Sequence, residues 1–321
     1  MQFNKAIVAF KNYLENYQDN SLNGKLLKPV KYMLSLGGKR LRPAILVWIN
    51  QLYKGDLNEA LNAAMAIEMF HNFSLVHDDI MDEAPLRRGK ITVHQKWNTN
   101  TAILSGDAML ILVYQALENI RPEHLGKAIN LLNKSALSVC EGQQLDMDFE
   151  TEKRISIVRY IEMIGQKTGD LLGASFALGA LLANAPESDV KKLYEFGKKT
   201  GIAFQIQDDI LDLYGDKAKV GKQIGGDILA NKKTFLWIRA FEKASSQLRD
   251  ELNKMEAEIN PEIKVKLAIG LFNELSVKED AEHEMKKLQN EALGLLKKLE
   301  LKTPDKNQIT EFALKLLSRE D

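Results

Sequence analysis

The sequence predicts an all-α fold, and three observations predict it. Apolar residues recur at helical spacing through Ala60 to Val76, Val158 to Leu182, Lys191 to Leu213 and Glu262 to Leu275, the pattern of helices with one buried face. No run of alternating β-branched residues bounded by turn signals occurs, so strands are not expected. The breaks between helical stretches are short, and short connections make consecutive helices antiparallel neighbours in a bundle.

Gly37-Gly38 is a break, and Lys39-Arg40-Leu41-Arg42-Pro43 leads out of that glycine turn into a helix. Tyr53 to Asp56 precedes the segment Ala60 to Val76, which runs on to Asp78 and stops at the polar stretch Ala84 to Gly89. Further breaks fall at Arg121-Pro122, Ala185-Pro186, Asp216 to Gly226 and Thr303-Pro304. Prolines suit a first helical turn and glycines follow a last one. Val158 to Leu182 reads as one helix that tolerates internal glycines. Its part Leu171 to Leu182 is apolar around most of its circumference, which places it inside a large bundle or at a subunit interface. From Ala244 onward the chain is more charged, with Lys286-Lys287 and Lys297-Lys298 on a solvated outer face. No proline marks a linker, so residues 1–321 are expected to form one domain.

The 321 residues are 45% hydrophobic and 27% charged, ample for a core. Lys+Arg and Asp+Glu are both 44, so no global field draws the chain to nucleic acid or an anionic membrane. Cys140 is the single cysteine, which excludes an intrachain disulfide and a cysteine-rich zinc site; it is expected to be a small buried core residue. The start of the chain has no signal-peptide h-region, and Ala174 to Ala185, read as the longest mostly apolar stretch, is shorter than the roughly twenty residues of a membrane span. No stable membrane insertion is expected, and a reducing cytoplasm fits.

One internal echo carries chemistry. Asp78-Asp79-Ile80-Met81-Asp82 recurs as Asp208-Asp209-Ile210-Leu211-Asp212, each near the end of a long helical stretch. On a helix, positions i and i+4 share a face, so Asp78 points with Asp82 and Asp208 with Asp212. Like charges at that spacing are unfavourable, and near a helix C-terminus they oppose the macrodipole at about 0.3–1 kcal/mol each. A divalent cation removes the conflict. Hard oxygen donors without His or Cys point to magnesium or calcium, and the calcium-loop spacing is absent. Magnesium shares substrate phosphates, so two such clusters are expected to face one diphosphate.

Cations accompany both clusters: Lys39, Arg40 and Arg42 after the glycine turn, Arg87-Arg88-Gly89 after the first cluster, and Lys222 and Lys232-Lys233 after the second. Arginine reads diphosphate oxygens through paired N–H groups, and lysine acts as a point charge. Together they describe a site for two diphosphates.

These motifs, in this order, resemble the trans-isoprenyl diphosphate synthases, the polyprenyl synthetase family. The resemblance runs to about Phe241 through Gly38-Lys39-Arg40-Leu41-Arg42-Pro43, Phe70 to Asp79, Arg87-Arg88-Gly89, Gly106-Asp107, Gly142-Gln143 with Asp146, Lys167-Thr168-Gly169, Phe204 to Asp209, Gly221-Lys222 and Asn231 to Thr234. It implies an isoprenoid synthase-type helical bundle with a deep central cavity, usually a homodimer. The reaction implied joins isopentenyl diphosphate to an allylic diphosphate.

Position by position, the resemblance assigns Lys39, Arg42 and His71, with Arg88 assisting, to the diphosphate of isopentenyl diphosphate. It assigns Asp78, Asp82 and Asp208 to magnesium, three ions per active site, with Asp79, Asp209 and Asp212 in support. Arg87, Lys167, Lys222 and Lys232 would grip the allylic diphosphate, and Thr168 and Gln205 would lie against the reacting carbons. His77, one residue before the first cluster, is expected to serve packing or a hydrogen bond rather than catalysis.

At a rise of 1.5 Å per residue, Phe73 lies roughly 7–8 Å below Asp78 along the helix and Phe70 about 12 Å. The resemblance makes a bulky residue at Phe73 a floor for short products, geranylgeranyl first and farnesyl diphosphate next, with ordinary core packing expected for Phe70. The alternatives are a longer-chain synthase of quinone biosynthesis and a class I terpene cyclase, the latter opposed by the intact second cluster. Two departures stand out: Asp170 adds a negative charge after Lys167-Thr168-Gly169, and Leu317 to Asp321 lacks a basic tail.

Overall fold

The computed structural model describes residues 1–215 and 224–317, and these are helical almost throughout. In chain order the helices are α1 (Phe3–Ser21), α2 (Lys28–Ser35), α3 (Leu41–Leu52), α4 (Leu57–Met81), α5 (Val93–Lys96), α6 (Thr99–Leu117), α7 (Pro122–Thr151), α8 (Ile157–Ile164), α9 (Asp170–Leu182) and α10 (Glu187–Tyr214). Then come α11 (Gly226–Leu229), α12 (Phe235–Lys243), α13 (Ser246–Ala257), α14 (Pro261–Glu274), α15 (Val277–Lys297) and α16 (Thr303–Leu317). The all-α expectation holds.

The chain divides into two compact units. The first comprises Met1–Leu137, Leu171–Tyr194 and Leu299–Asp305. Its core gathers Phe10, Met33, Trp48, Met65, Phe70 and Phe176, each almost wholly buried. Within it α4 packs against α3 and, most extensively, against α6. Asp56 starts α4 by accepting from the Glu59 backbone N–H at 2.8 Å, the usual N-cap role of an aspartate. The second unit comprises Ser138–Asp170, Glu195–Lys298 and Lys306–Asp321. Its core joins Tyr160, Ile206, Leu236, Trp237, Leu252 and Phe272. Here Thr234, Ser245 and Asn260 cap α12, α13 and α14.

Four expectations need correction. Two short strands do occur: β1 (Leu86–Arg87) and β2 (Lys90–Ile91) pair antiparallel across Arg88 and Gly89, whose φ of 53° and 72° suit a tight primed turn. Four paired residues are too few to print an alternating pattern. The segment Val158 to Leu182 is not one regular helix, because Gly165–Gly169 forms a π-turn between α8 and α9. Cys140 is exposed on α7 rather than buried. Burial nonetheless raises its thiol pKa, with Glu141 adding to the effect, so it is no activated nucleophile. Finally, α6 is a longer apolar helix than Ala174 to Ala185: an 18-residue window of its 19 residues reaches a mean hydropathy of 1.2, and 44% of that window is buried. By length and composition it could cross a bilayer, a property that core helices share.

Candidate active site

In the first unit the carboxylates sit on the last turn of α4. Asp82 ends the helix, its N–H donating to the Asp78 carbonyl at 2.9 Å, and Glu83 turns the chain with a φ of 49°. Asp78 is half-buried and Asp82 exposed, whereas Asp79 points inward with 1% exposure. The hairpin brings Arg87 back onto this turn. Arg87 Nε donates to Asp79 Oδ1 at 2.7 Å, and its Nη2 lies 2.6 Å from Asp79 Oδ1 and 3.4 Å from Asp78 Oδ2. Burial raises the Asp79 pKa, opposed by the hydrogen bond and charge of Arg87.

A cationic cluster forms where α3 begins. Gly37 and Gly38, with φ of 82° and 116°, make the turn. A side chain on Gly38 would meet the Arg88 guanidinium, its Cβ lying 2.7 Å from Cζ, and Arg88 donates to the Gly37 carbonyl. Lys39 is exposed on this turn. Arg40, by contrast, is buried and paired with Glu68, a structural cation. Arg42 Nη1 lies 3.5 Å from His71 Nε2, and Arg42 Nε is buried with no hydrogen-bond partner. Burial, then Arg42, Arg88, Arg87 and Arg40, hold the His71 pKa well below its ordinary value, so the ring is neutral at pH 7. Burial likewise lowers the Arg42 pKa, with Glu68 opposing and Arg88 adding. A buried guanidinium N–H left without an acceptor, among other arginines, leaves positive charge and a donor that the described residues do not satisfy.

In the second unit the echo motif ends α10. Asp208 is exposed and Asp209 is 4% exposed. The Tyr160 hydroxyl donates to Asp209 Oδ2, as does the Phe235 backbone N–H at 3.0 Å. With no cation on it, burial pushes the Asp209 pKa up to about 7, against the pull of these hydrogen bonds. Asp212 accepts from the Asp227 N–H at 3.0 Å, which ties the end of α10 to the start of α11.

The π-turn presents the next two candidates. Lys167 Nζ lies 2.6 Å from Asp146 Oδ2, and the Thr168 hydroxyl lies 3.4 Å from Gln205 Oε1. Only glycine fits at position 142, since a Cβ there would stand 2.4 Å from the Lys167 backbone nitrogen. Asp170 is 3% exposed and accepts from Ser138 Oγ at 2.5 Å while pairing with Lys198 Nζ at 2.8 Å. Its charge, the first departure noted in the sequence, is therefore balanced within this unit. Lys232 is exposed, whereas Lys233 donates to the carbonyls of Phe149 and Glu150 at the end of α7. Lys222 lies outside the described residues.

Sequence reasoning missed the inward role of Tyr160 and the capping role of Lys233, neither of which belongs to a local pattern. Asp146 was visible as a landmark without a role. Among the described residues no three acidic, histidine or cysteine side chains converge into a ready-made metal cage. Exposed helical aspartates of this kind fit magnesium, which keeps waters and takes phosphate oxygens as its other ligands.

Below the first cluster, Phe73 and His77 are half-buried and Phe70 is core at 2% exposure. The ring centroids lie 5.5 Å apart for Phe70 and Phe73, and 4.8 Å apart for Phe73 and His77.

The polyprenyl synthetase family profile matches residues 23–269. A geranylgeranyl diphosphate synthase of Methanosarcina mazei is 41% identical over 221 residues, 68% of either chain. A geranylgeranyl pyrophosphate synthase of Geoglobus acetivorans is 37% identical over 298 residues, 92% of this chain and 91% of its own. A crystal structure of a geranylgeranyl pyrophosphate synthase superposes with a TM-score of 0.94 at 36% identity, covering 100% of both chains. The paired aspartate motifs, the cationic cluster at the start of α3 and this likeness along the full length lead to one assignment: the chain belongs to the polyprenyl synthetase family.

Proposed function

We propose that the chain condenses isopentenyl diphosphate with an allylic diphosphate, head to tail, and that residues 1–321 act as one polyprenyl synthetase domain. The observation that carries this is the acceptor-less buried Nε of Arg42, whose Nη1 lies 3.5 Å from His71 Nε2. Lys39, Arg42, His71 and Arg88 hold the diphosphate of isopentenyl diphosphate. Asp78, Asp82 and Asp208 are the magnesium ligands, three ions in all, while Asp79, Asp209 and Asp212 stiffen the helix ends that present them. Bound magnesium supplies Lewis-acid stabilisation of the leaving diphosphate. Arg87, Lys167 and Lys232, with Lys222, grip the allylic diphosphate. Arg87 and Lys167 now rest on carboxylates, and a diphosphate offers them a denser anion. Thr168 and Gln205 line the reacting carbons, and closeness of the two substrates replaces a bimolecular encounter. Neither Thr168 nor Gln205, the side chains set against the reacting carbons, is a base, so the proton leaves with the diphosphate.

Phe73 forms the floor, which favours geranylgeranyl over farnesyl diphosphate. The exposed apolar residues Leu104 (56%) and Ile111 (61%) of α6 and Leu137 (63%) of α7 are covered by a second copy, giving a homodimer rather than a membrane span. The cytoplasm is the setting. Incubation with isopentenyl diphosphate, each allylic starter and magnesium, followed by sizing of the products, tests the reading. A twenty- or fifteen-carbon product is expected. Products of thirty carbons or more would overturn the short-chain reading, and release of pyrophosphate without consumption of isopentenyl diphosphate would favour a cyclase.

A further inference from the structure

Gly106 is buried in the middle of α6, and a Cβ at this position would lie 2.2 Å from His77 Nε2 and 2.5 Å from His77 Cδ2. The missing side chain is thus a notch on α6, and the His77 ring of α4 fills it. Two contacts hold the ring there. Its Nε2 lies 3.3 Å from the Ile103 carbonyl oxygen, one turn earlier on α6. The Phe73 ring meets it edge to face, with 61° between planes. Phe73 and His77 stand four residues apart on one face of α4, and Phe73 in turn leans on the buried Phe70. Phe73 is therefore braced from both sides, by core below and by a ring keyed into the neighbouring helix above.

We propose that His77 and Gly106 are positioning residues for product length: the notch seats His77, and His77 fixes the Phe73 ring as the floor of the chain cavity. This rests on the reading of Phe73 as that floor. Neither residue needs to touch substrate. An edge-to-face contact is worth a modest preference, so its loss changes a product ratio rather than abolishing turnover.

The test sizes the products of four single variants at matched turnover. Phe73→Ala checks the underlying floor and is expected to lengthen the product by at least one five-carbon unit. His77→Ala removes the brace and is expected to raise the ratio of longer to main product by roughly two- to tenfold, the size of one lost aromatic contact. Gly106→Ala fills the notch, evicts the ring and shifts the ratio in the same direction, while His77→Phe keeps a ring and holds the wild-type ratio. If Gly106→Ala does not fold, the two His77 variants decide alone. Longer products from Phe73→Ala with an unchanged ratio in His77→Ala would overturn the brace and leave the floor standing. Equal shifts in His77→Ala and His77→Phe would overturn it too, because the ring contact would not matter. An active Phe73→Ala with the wild-type product would remove the floor and the brace together.

Discussion

In α4 the inward aspartate meets a cation; in α10 the equally inward one meets only neutral donors. Asp79 and Asp209 occupy the same place in one repeated pattern, and both are buried. Arg87 reaches Asp79 because a six-residue hairpin returns it to the helix end, and the pair is close to charge-balanced. Asp209 instead receives the Tyr160 hydroxyl and the Phe235 N–H, both on Oδ2, which satisfy that oxygen without cancelling the charge. One sequence motif thus has two electrostatic settings. What the settings share is geometry: the second aspartate is locked inward, and the first is the more exposed of the two, half-buried at Asp78 and exposed at Asp208. The lock explains how a helix end carrying three carboxylates keeps a defined shape before any cation binds.

The outer aspartates are where the two regions should behave alike, and there the largest effect is expected. Asp78→Ala and Asp208→Ala should each lower kcat by on the order of 10²–10³ or more, the loss seen when a group stabilising transition-state charge is removed. Steady-state rates at saturating magnesium check this. Near wild-type turnover in either variant would mean that one cluster alone suffices.

The cations should instead separate the regions. Arg42→Ala is expected to raise KM for isopentenyl diphosphate by roughly 10- to 100-fold, the worth of a charge-assisted hydrogen bond, with little change for the allylic partner. Lys232→Ala should do the reverse, on a smaller scale because its ammonium is exposed. Kinetics with each substrate varied in turn would expose a swapped assignment directly.

Helical periodicity made the fold class legible, and the repeated aspartates made the chemistry legible, because both are local patterns. The π-turn was not, since Gly165 and Gly169 look like ordinary helix glycines until Gly142 of α7 is seen against Lys167. Nor was the division of labour within each cluster. Helical spacing groups Asp78 with Asp82, but which of the others turns inward depends on Arg87, Tyr160 and Phe235, residues 8, 49 and 26 positions away from the aspartate each one holds. Cys140 failed for a similar reason: a position within a helical stretch says nothing about which side of α7 faces solvent.

The inner aspartates give the smaller effects, and they differ in kind. Asp79→Asn leaves Arg87 beside a neutral amide and should cost about 1.5–3 kcal/mol of stability across neutral pH, the range for a hydrogen bond to a charged group. Asp209→Asn keeps an acceptor for Tyr160 and Phe235, so its cost at neutral pH should be less than that. Its signature is in the pH dependence. The folded chain holds the Asp209 proton up to about pH 7, against an ordinary value of 3.8. A group whose folded pKa is raised contributes stability that is whole below its unfolded pKa and is lost as pH rises through the folded value. Without magnesium, this residue should therefore make unfolding easier between about pH 4 and 7, and Asp209→Asn should flatten that component; Asp79, whose pKa burial also raises, adds a component of the same sign that Asp79→Asn removes instead. Urea midpoints at a series of pH values, with a chelator present, measure both. An Asp209→Asn midpoint that follows the wild-type pH profile would mean that Asp209 is already ionised in the folded chain at pH 4, and that Tyr160 and Phe235 hold a full charge as firmly as Arg87 does.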